Sequence, residues 1–207
     1  LKDNFLLKRK KFLNFWPACL LLSALLSNIF LSYEVQAQKS SLDAKAFIDS
    51  VTNEAITTLT GKDLKKDERA RLFRALMKKY FSIKGIARFV VGRHLRNASD
   101  VEKTQYLKLF EDLMVATYSE RFATYSGEQL LVKSAELRGK KDYIVQTSMI
   151  KADSGAKPLK VDWRIRERGE SFTIIDVMVE GISMIMTQKS EFSSFLKSNN
   201  GEFKKLL

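Results

Sequence analysis

The chain has 207 residues, 45% of them apolar, and carries 36 Lys and Arg against 24 Asp and Glu for a net charge of +12. With one cysteine and one histidine it lacks the residues for cysteine-ligated zinc or a disulfide framework. The positive balance favours anionic lipid surfaces or acidic partners, and because Lys and Arg are spread along every segment instead of gathering with aromatics, it argues against nucleic acid.

Lys2, Lys8, Arg9, Lys10 and Lys11 precede a charge-free run from Phe12 to Tyr33, the layout of an export signal. Val35-Gln36-Ala37 offers small residues at a cleavage site, so residues 1–37 are expected to be a signal peptide cut after Ala37, with 38–207 as one domain. The apolar run is also long enough to cross a bilayer as a retained anchor, although Ser23, Ser27, Asn28 and Ser32 dilute it. Cys19 lies near the start of this run, not at its end, which argues against lipidation. Residues 1–37 hold five of the basic and two of the acidic residues, leaving a net charge of +9 on the rest.

Ser40 to Leu59 places Ala44, Phe47, Ile48, Val51, Ala55, Ile56 and Leu59 at helical spacing. A second helix from about Asp67 carries Leu72, Phe73, Leu76, Met77 and Tyr80 and breaks at Phe81-Ser82. Ser82 is expected to cap a third helix bearing Ile83, Ile86, Ala87, Phe89 and Val90 and ending at Gly92. Ser99-Asp100-Val101-Glu102 is a capping box. It opens the strongest helical pattern in the chain, with Tyr106, Leu109, Phe110, Leu113, Met114, Tyr118, Phe122 and Tyr125 on one stripe.

Beyond Gly127 the period changes to that of strands: Leu130–Leu137, Tyr143–Ile150, Lys157–Glu167 and Ser171–Val179, joined by short turns. In the third run Val161, Trp163 and Ile165 alternate with Asp162, Arg164 and Arg166, one face buried and one wet. The fourth is apolar at nearly every position. A last helix covers about 185–198. This order predicts an α+β fold: N-terminal helices on one face of a curved four-stranded antiparallel sheet, followed by a C-terminal helix.

The end of the chain resembles the MlaC family, also called the toluene-tolerance or ABC-transporter auxiliary family, of periplasmic phospholipid carriers. The resemblance lies in Asp176-Val177 closing a strand, in the Gly181-Ile182-Ser183 turn, and in Lys189 and Phe192 on the following helix. Gly92-Arg93 ahead of a helix bearing Phe110 and Tyr118 extends it to about residues 42–207. Leu95 and Phe172 stand where the family often has tryptophan, and Ile175 where an aromatic is common.

What the resemblance implies is a pocket between sheet and helices that encloses acyl chains. Its lining would draw on Phe73, Leu76, Phe89, Phe110, Leu113, Met114, Tyr118 and Phe122 from the helices, and on Val145, Met149, Trp163, Ile165, Ile174 and Met178 from the strands. Arg93, Arg96, Arg164 and Lys189, with Arg166 beside them, would meet the headgroup or a docking partner. Met184 and Met186 add adaptable apolar bulk. Enclosure is needed because each buried CH₂ is worth about 0.8 kcal/mol, so a sixteen-carbon chain costs on the order of 12 kcal/mol to carry naked through water. The same stripes would also serve an ordinary filled core, and periodicity alone does not separate the two.

No residue set for catalysis stands out. His94 follows a helix stop beside Arg93, Gly181-Ile182-Ser183-Met184 lacks the second glycine of a nucleophile elbow, and Asp176 has no partner acid or base in sequence. No phosphate loop or metal-ligand cluster is present. No enzymatic activity, cofactor or metal is therefore expected, and the resemblance implies a lipid carrier. The resemblance implies phospholipid as ligand, an outer-membrane lipoprotein complex and an inner-membrane ABC transporter with an MCE-domain protein as partners in outer-membrane asymmetry, and transient membrane-surface contact. A hopanoid or other apolar lipid as cargo, or a noncatalytic interaction subunit with a filled core, are the competing readings.

Overall fold

A computed structural model describes residues 40–151, 155 and 157–207. The expected signal with its cut after Ala37, Cys19, and most of the Ala152–Ala156 turn lie outside the described residues. Four helices come first: α1 (residues 40–59), α2 (Lys66–Tyr80), α3 (Ile83–Val91) and α4 (Asp100–Tyr118). Five strands follow, β1 (Gln129–Arg138), β2 (Asp142–Ile150), β3 (Leu159–Arg168), β4 (Ser171–Val179) and β5 (Ile182–Ser183), and then α5 (Met184–Ser198). The fold is α+β with an open antiparallel meander in the order β1-β2-β3-β4-β5.

The sheet thus has five strands where four are read from the sequence. Ile182 and Ser183 are too few to show a strand period; they pair with Val179 and Met178 because the Glu180-Gly181 turn folds them back. Glu180 and Gly181 both take positive φ, 49° and 80°. Ser183 then caps α5, its hydroxyl accepting from Met186 N–H at 3.1 Å. At the other end of β4 the α2–α3 junction is stitched to the strand: Ser82 N–H donates to the Ile174 carbonyl at 2.9 Å and Thr173 Oγ1 to the Tyr80 carbonyl at 3.2 Å. Ser82 makes no side-chain cap on α3, contrary to the sequence expectation, because its backbone is turned toward the strand.

The capping box at α4 is complete: Ser99 Oγ accepts from Glu102 N–H at 3.3 Å, and the Glu102 carboxylate accepts from Ser99 N–H at 2.8 Å. α4 ends at Tyr118 and passes into a 3₁₀ turn, Ser119–Thr124, so the stripe through Tyr125 is not one continuous α-helix. Between α1 and α2 the buried Arg69 donates to the Leu59 and Leu64 carbonyls at 3.2 and 2.7 Å, satisfying an acceptor at the end of α1.

Two apolar cores result. One is built from helices: Met77 of α2, Ala87, Val90 and Val91 of α3, Tyr106, Phe110, Met114 and Val115 of α4, and Leu196 of α5, closed by Phe203. Tyr106 is fully buried, donates its hydroxyl to the Ala87 carbonyl at 2.9 Å, and has its ionisation pushed well above the ordinary phenol range by burial. The second core joins α1 to the sheet: Ala44, Ile48 and Val51 lie against Tyr143, Val145, Ile165 and Ile174. The stripe of α4 therefore serves the helical core and does not face the strands, which corrects the simple picture of all N-terminal helices laid on one sheet face.

Candidate functional site

Strand register decides what each side chain can reach. Val145, Trp163 and Val177 form one row across β2, β3 and β4, and Tyr143, Ile165 and Ile174 the next. Val132, Thr147, Val161 and Val179 form a third row, and Leu130, Met149 and Leu159 a fourth. All point to the side that α1 covers, giving an apolar inner face broken only by Thr147. That hydroxyl is not left unpaired: Thr147 Oγ1 donates to the Val161 carbonyl at 2.5 Å and accepts from Trp163 Nε1 at 3.2 Å, which ties the indole to the neighbouring strand.

The two ends of this face differ. At the Tyr143 row, burial is complete under α1, with Phe47 against Tyr80 and Phe172 at ring separations of 5.8 and 5.7 Å and Tyr143 against Phe172 at 5.6 Å. Toward the Leu130 row, Leu130, Val132, Met149, Trp163, Val177 and Val179 are only half-buried. This half-covered apolar strip is continuous with the core under α1.

The structure splits the residues that the sequence suggested as a lining. Val145, Ile165 and Ile174 are buried on the inner face and Trp163 and Met149 are half-buried there. Met178 is on the opposite face, paired with Asp162. A bulge is the reason: Arg164 pairs with Asp176 and Ile165 with Ile174, leaving Ile175 as an extra residue that reverses the phase of β4 beyond it. Of the helical candidates, Phe110 and Met114 are buried in the helical core, with Phe73 and Tyr118 packed on it. Phe122 stacks on Phe73 at 5.8 Å, Leu76 is half-buried, and Phe89 and Leu113 are exposed. The helical and strand groups belong to separate clusters and do not share one lining.

Arg164 and Arg166 fall on the outer face and are both engaged by Asp142. Arg166 Nε donates to Oδ1 at 2.6 Å, and Arg166 and Arg164 Nη2 to Oδ2 at 2.9 Å each. The Arg166 hydrogen bonds, reinforced by Arg164, hold the Asp142 carboxyl below its ordinary range against the opposing effect of burial. Arg93 and Arg96 are exposed after α3, and Lys189 Nζ lies 4.2 Å above the Phe89 ring. A separate open depression of about 1050 Å³ lies between α2, α3 and α4. Arg74 pairs there with Glu111 and Asp112 at 2.6 and 2.7 Å and Lys78 with Glu111 at 3.0 Å, while Lys84 and Arg168 line it without an ion pair, a strongly charged wall for a lipid tail. Among the described residues no group of acidic, histidine or cysteine side chains could hold a metal ion.

The model of the MlaC protein family matches residues 49–207. The chain belongs to the MlaC family. Its fold is also similar to that of a phospholipid-binding protein from Ralstonia solanacearum, solved in complex with a phospholipid at 1.53 Å, with 17% identity, a TM-score of 0.68, and coverage of 79% of this chain and 94% of that one. The stretch matched to the MlaC family begins inside α1, after Ala44 and Ile48, and includes the whole sheet and the helical core.

In this MlaC-family chain, sequence reasoning missed Tyr143, Phe172, Phe47 and Tyr80 as one aromatic cluster. Tyr143 was within reach of the strand period, two residues before Val145. The helical stripe of Phe47 was visible too, but nothing local says that α1, not α4, meets the strands.

Proposed function

We propose that this MlaC-family chain is a non-enzymatic periplasmic carrier that takes up a phospholipid and moves it between an outer-membrane lipoprotein complex and an inner-membrane ABC transporter bearing an MCE-domain protein. Export by the N-terminal signal, with maturation after Ala37 and a single domain over 38–207, completes the reading. Family membership supports it, and so does a fold shared with a protein that holds a phospholipid. The observation that carries it furthest is the apolar inner face of the sheet, half-covered from Leu130 to Val177 and closed at the Tyr143 row by α1 with Tyr80 and Phe81 at the end of α2.

Acyl chains would lie along Trp163, Val177, Val132 and Met149, with Ile165 and Ile174 becoming accessible when α1 shifts. Burial at about 0.8 kcal/mol per CH₂ then replaces what the tails lose on leaving a bilayer, so binding needs shape and no chemistry. Organic extraction of protein purified from the periplasm, followed by mass spectrometry, tests the reading. Phospholipid at a stoichiometric ratio is expected. A polycyclic lipid would overturn the cargo, and no lipid at all would overturn the carrier.

A further inference from the structure

From Ile83 to Ser99 the chain contains no acidic residue, and Lys84, Arg88, Arg93 and Arg96 in that stretch are all exposed. Among the described residues none of these four, nor Lys189 of α5, lies within ion-pair distance of a carboxylate, although 13 other ion pairs form elsewhere. Large apolar side chains are exposed at the same seam. Phe89 is 43% exposed with Lys189 above its ring, and Met186, one turn before Lys189, is 53% exposed. Ile182, four residues earlier in β5, is 61% exposed. α3 buries Ala87, Val90 and Val91 inward and turns Lys84, Arg88 and Phe89 outward, while α5 packs beside it through Leu196.

We propose that this α3–α5 seam is a docking face for an anionic phospholipid bilayer surface, with Arg88, Arg93 and Lys189 held at the phosphates and Phe89, Met186 and Ile182 entering the headgroup region. Charge complementarity selects the occupant. Cations with no carboxylate in ion-pair reach repel a basic partner and gain from the negative potential of an anionic leaflet, although Glu180 and Glu191 are exposed on the α5 side, and exposed Phe, Met and Ile beside cations form the pattern of an interfacial amphipathic surface. An acidic protein would satisfy the cations but give no reason for three separated apolar side chains to protrude among them. The inference is independent of what the sheet binds, because it concerns the outside of the helical core.

The experiment is co-sedimentation of the purified chain, lacking residues 1–37, with vesicles of phosphatidylcholine alone and of phosphatidylcholine with phosphatidylglycerol. Binding to the mixed vesicles only, falling steeply as salt rises, is expected. Arg88→Glu with Lys189→Glu should weaken it at least tenfold, since each cation near an anionic surface contributes about fivefold. Lys133→Glu with Lys140→Glu, which changes the net charge equally on the β1 side, should weaken it less than threefold. Equal loss in the two pairs would overturn the proposal by showing that only net charge matters, and so would absence of binding to the mixed vesicles. Loss of a protein complex in the Arg88/Lys189 variant without any vesicle binding would assign the seam to a protein instead. Circular dichroism of each variant checks that these exposed changes leave the fold intact.

Discussion

The Ser183 hydroxyl donates to Asp176 Oδ2 at 2.5 Å, and the other oxygen of that carboxylate accepts from Ile185 N–H at 3.2 Å. One buried side chain on β4 thereby fixes both the β5 turn and the first turn of α5, which explains why an aspartate in an otherwise apolar strand has no catalytic partner. Asp176→Ala leaves two donors without an acceptor and should cost about 2–3 kcal/mol, against about 1 kcal/mol for Ser183→Ala. Urea unfolding of the single and double variants should show a coupling of at least about 0.5 kcal/mol. Strictly additive losses would mean that the two residues act independently.

The separation of the two cores gives a contrast between stability and cargo. Phe110→Ala opens a cavity in the helical core and should cost about 3–5 kcal/mol while leaving lipid per folded molecule unchanged. Trp163→Ala and Val177→Ser remove apolar area from the half-covered strip and should lower lipid recovered per molecule several-fold. If Phe110→Ala depletes lipid as strongly as Trp163→Ala, the acyl chains lie in the helical core instead.

Local pattern made the elements legible, but not their meeting. Periodicity located α1 to α5 and the first four strands, because each buries one stripe or one face and the sequence writes that alternation directly. It did not distinguish α1 from α4 as the helix on the sheet, since both stripes are apolar and the choice is made by tertiary contacts such as Arg69 on the Leu59 carbonyl and Ser82 on Ile174. Nor did it locate the bulge at Ile175: in a run apolar on both faces, one extra residue leaves no mark, yet it sends Ile174 and Met178 to opposite sides. Alternation already set Arg164 on the wet face opposite Trp163; what it did not show is that Asp142, across the sheet, takes up Arg164 and Arg166 there.

On the outer face, Asp142 should confer an acid-sensitive contribution to stability. Its carboxyl is held below the ordinary aspartate range by Arg166 and Arg164, so the contribution is present above the unfolded pKa and is lost as pH falls through the lower folded value. Both arginines are about half exposed, which limits the expected cost of Asp142→Asn at pH 7 to about 1 kcal/mol. Urea titrations from pH 7 to 2.5 should show the gap between wild type and variant closing only below about pH 4. A gap that stays constant over the whole range would assign the loss to shape and not to charge.

Glu54 fastens α1 to the end of α2. Its carboxylate accepts from Lys79 Nζ at 2.8 and 2.7 Å and from the Tyr80 hydroxyl, and Lys79 also sits 4.8 Å above the Tyr80 ring. These bonds, Lys79 first and Tyr80 second, hold the Glu54 carboxyl below its ordinary value. Because α1 covers Ile165 and Ile174, loosening this clasp should expose the buried end of the inner face without touching the helical core. Glu54→Gln is expected to speed amide exchange several-fold in α1 and to raise the rate of lipid uptake from vesicles, with exchange in α4 unchanged. Acidification should act in the same direction on the wild type as Glu54 protonates, and should have no such effect on the Gln variant. Equal acceleration in α1 and α4 would show that the substitution loosens the whole fold, and an unaltered α1 would show that its apolar contacts alone keep the sheet covered.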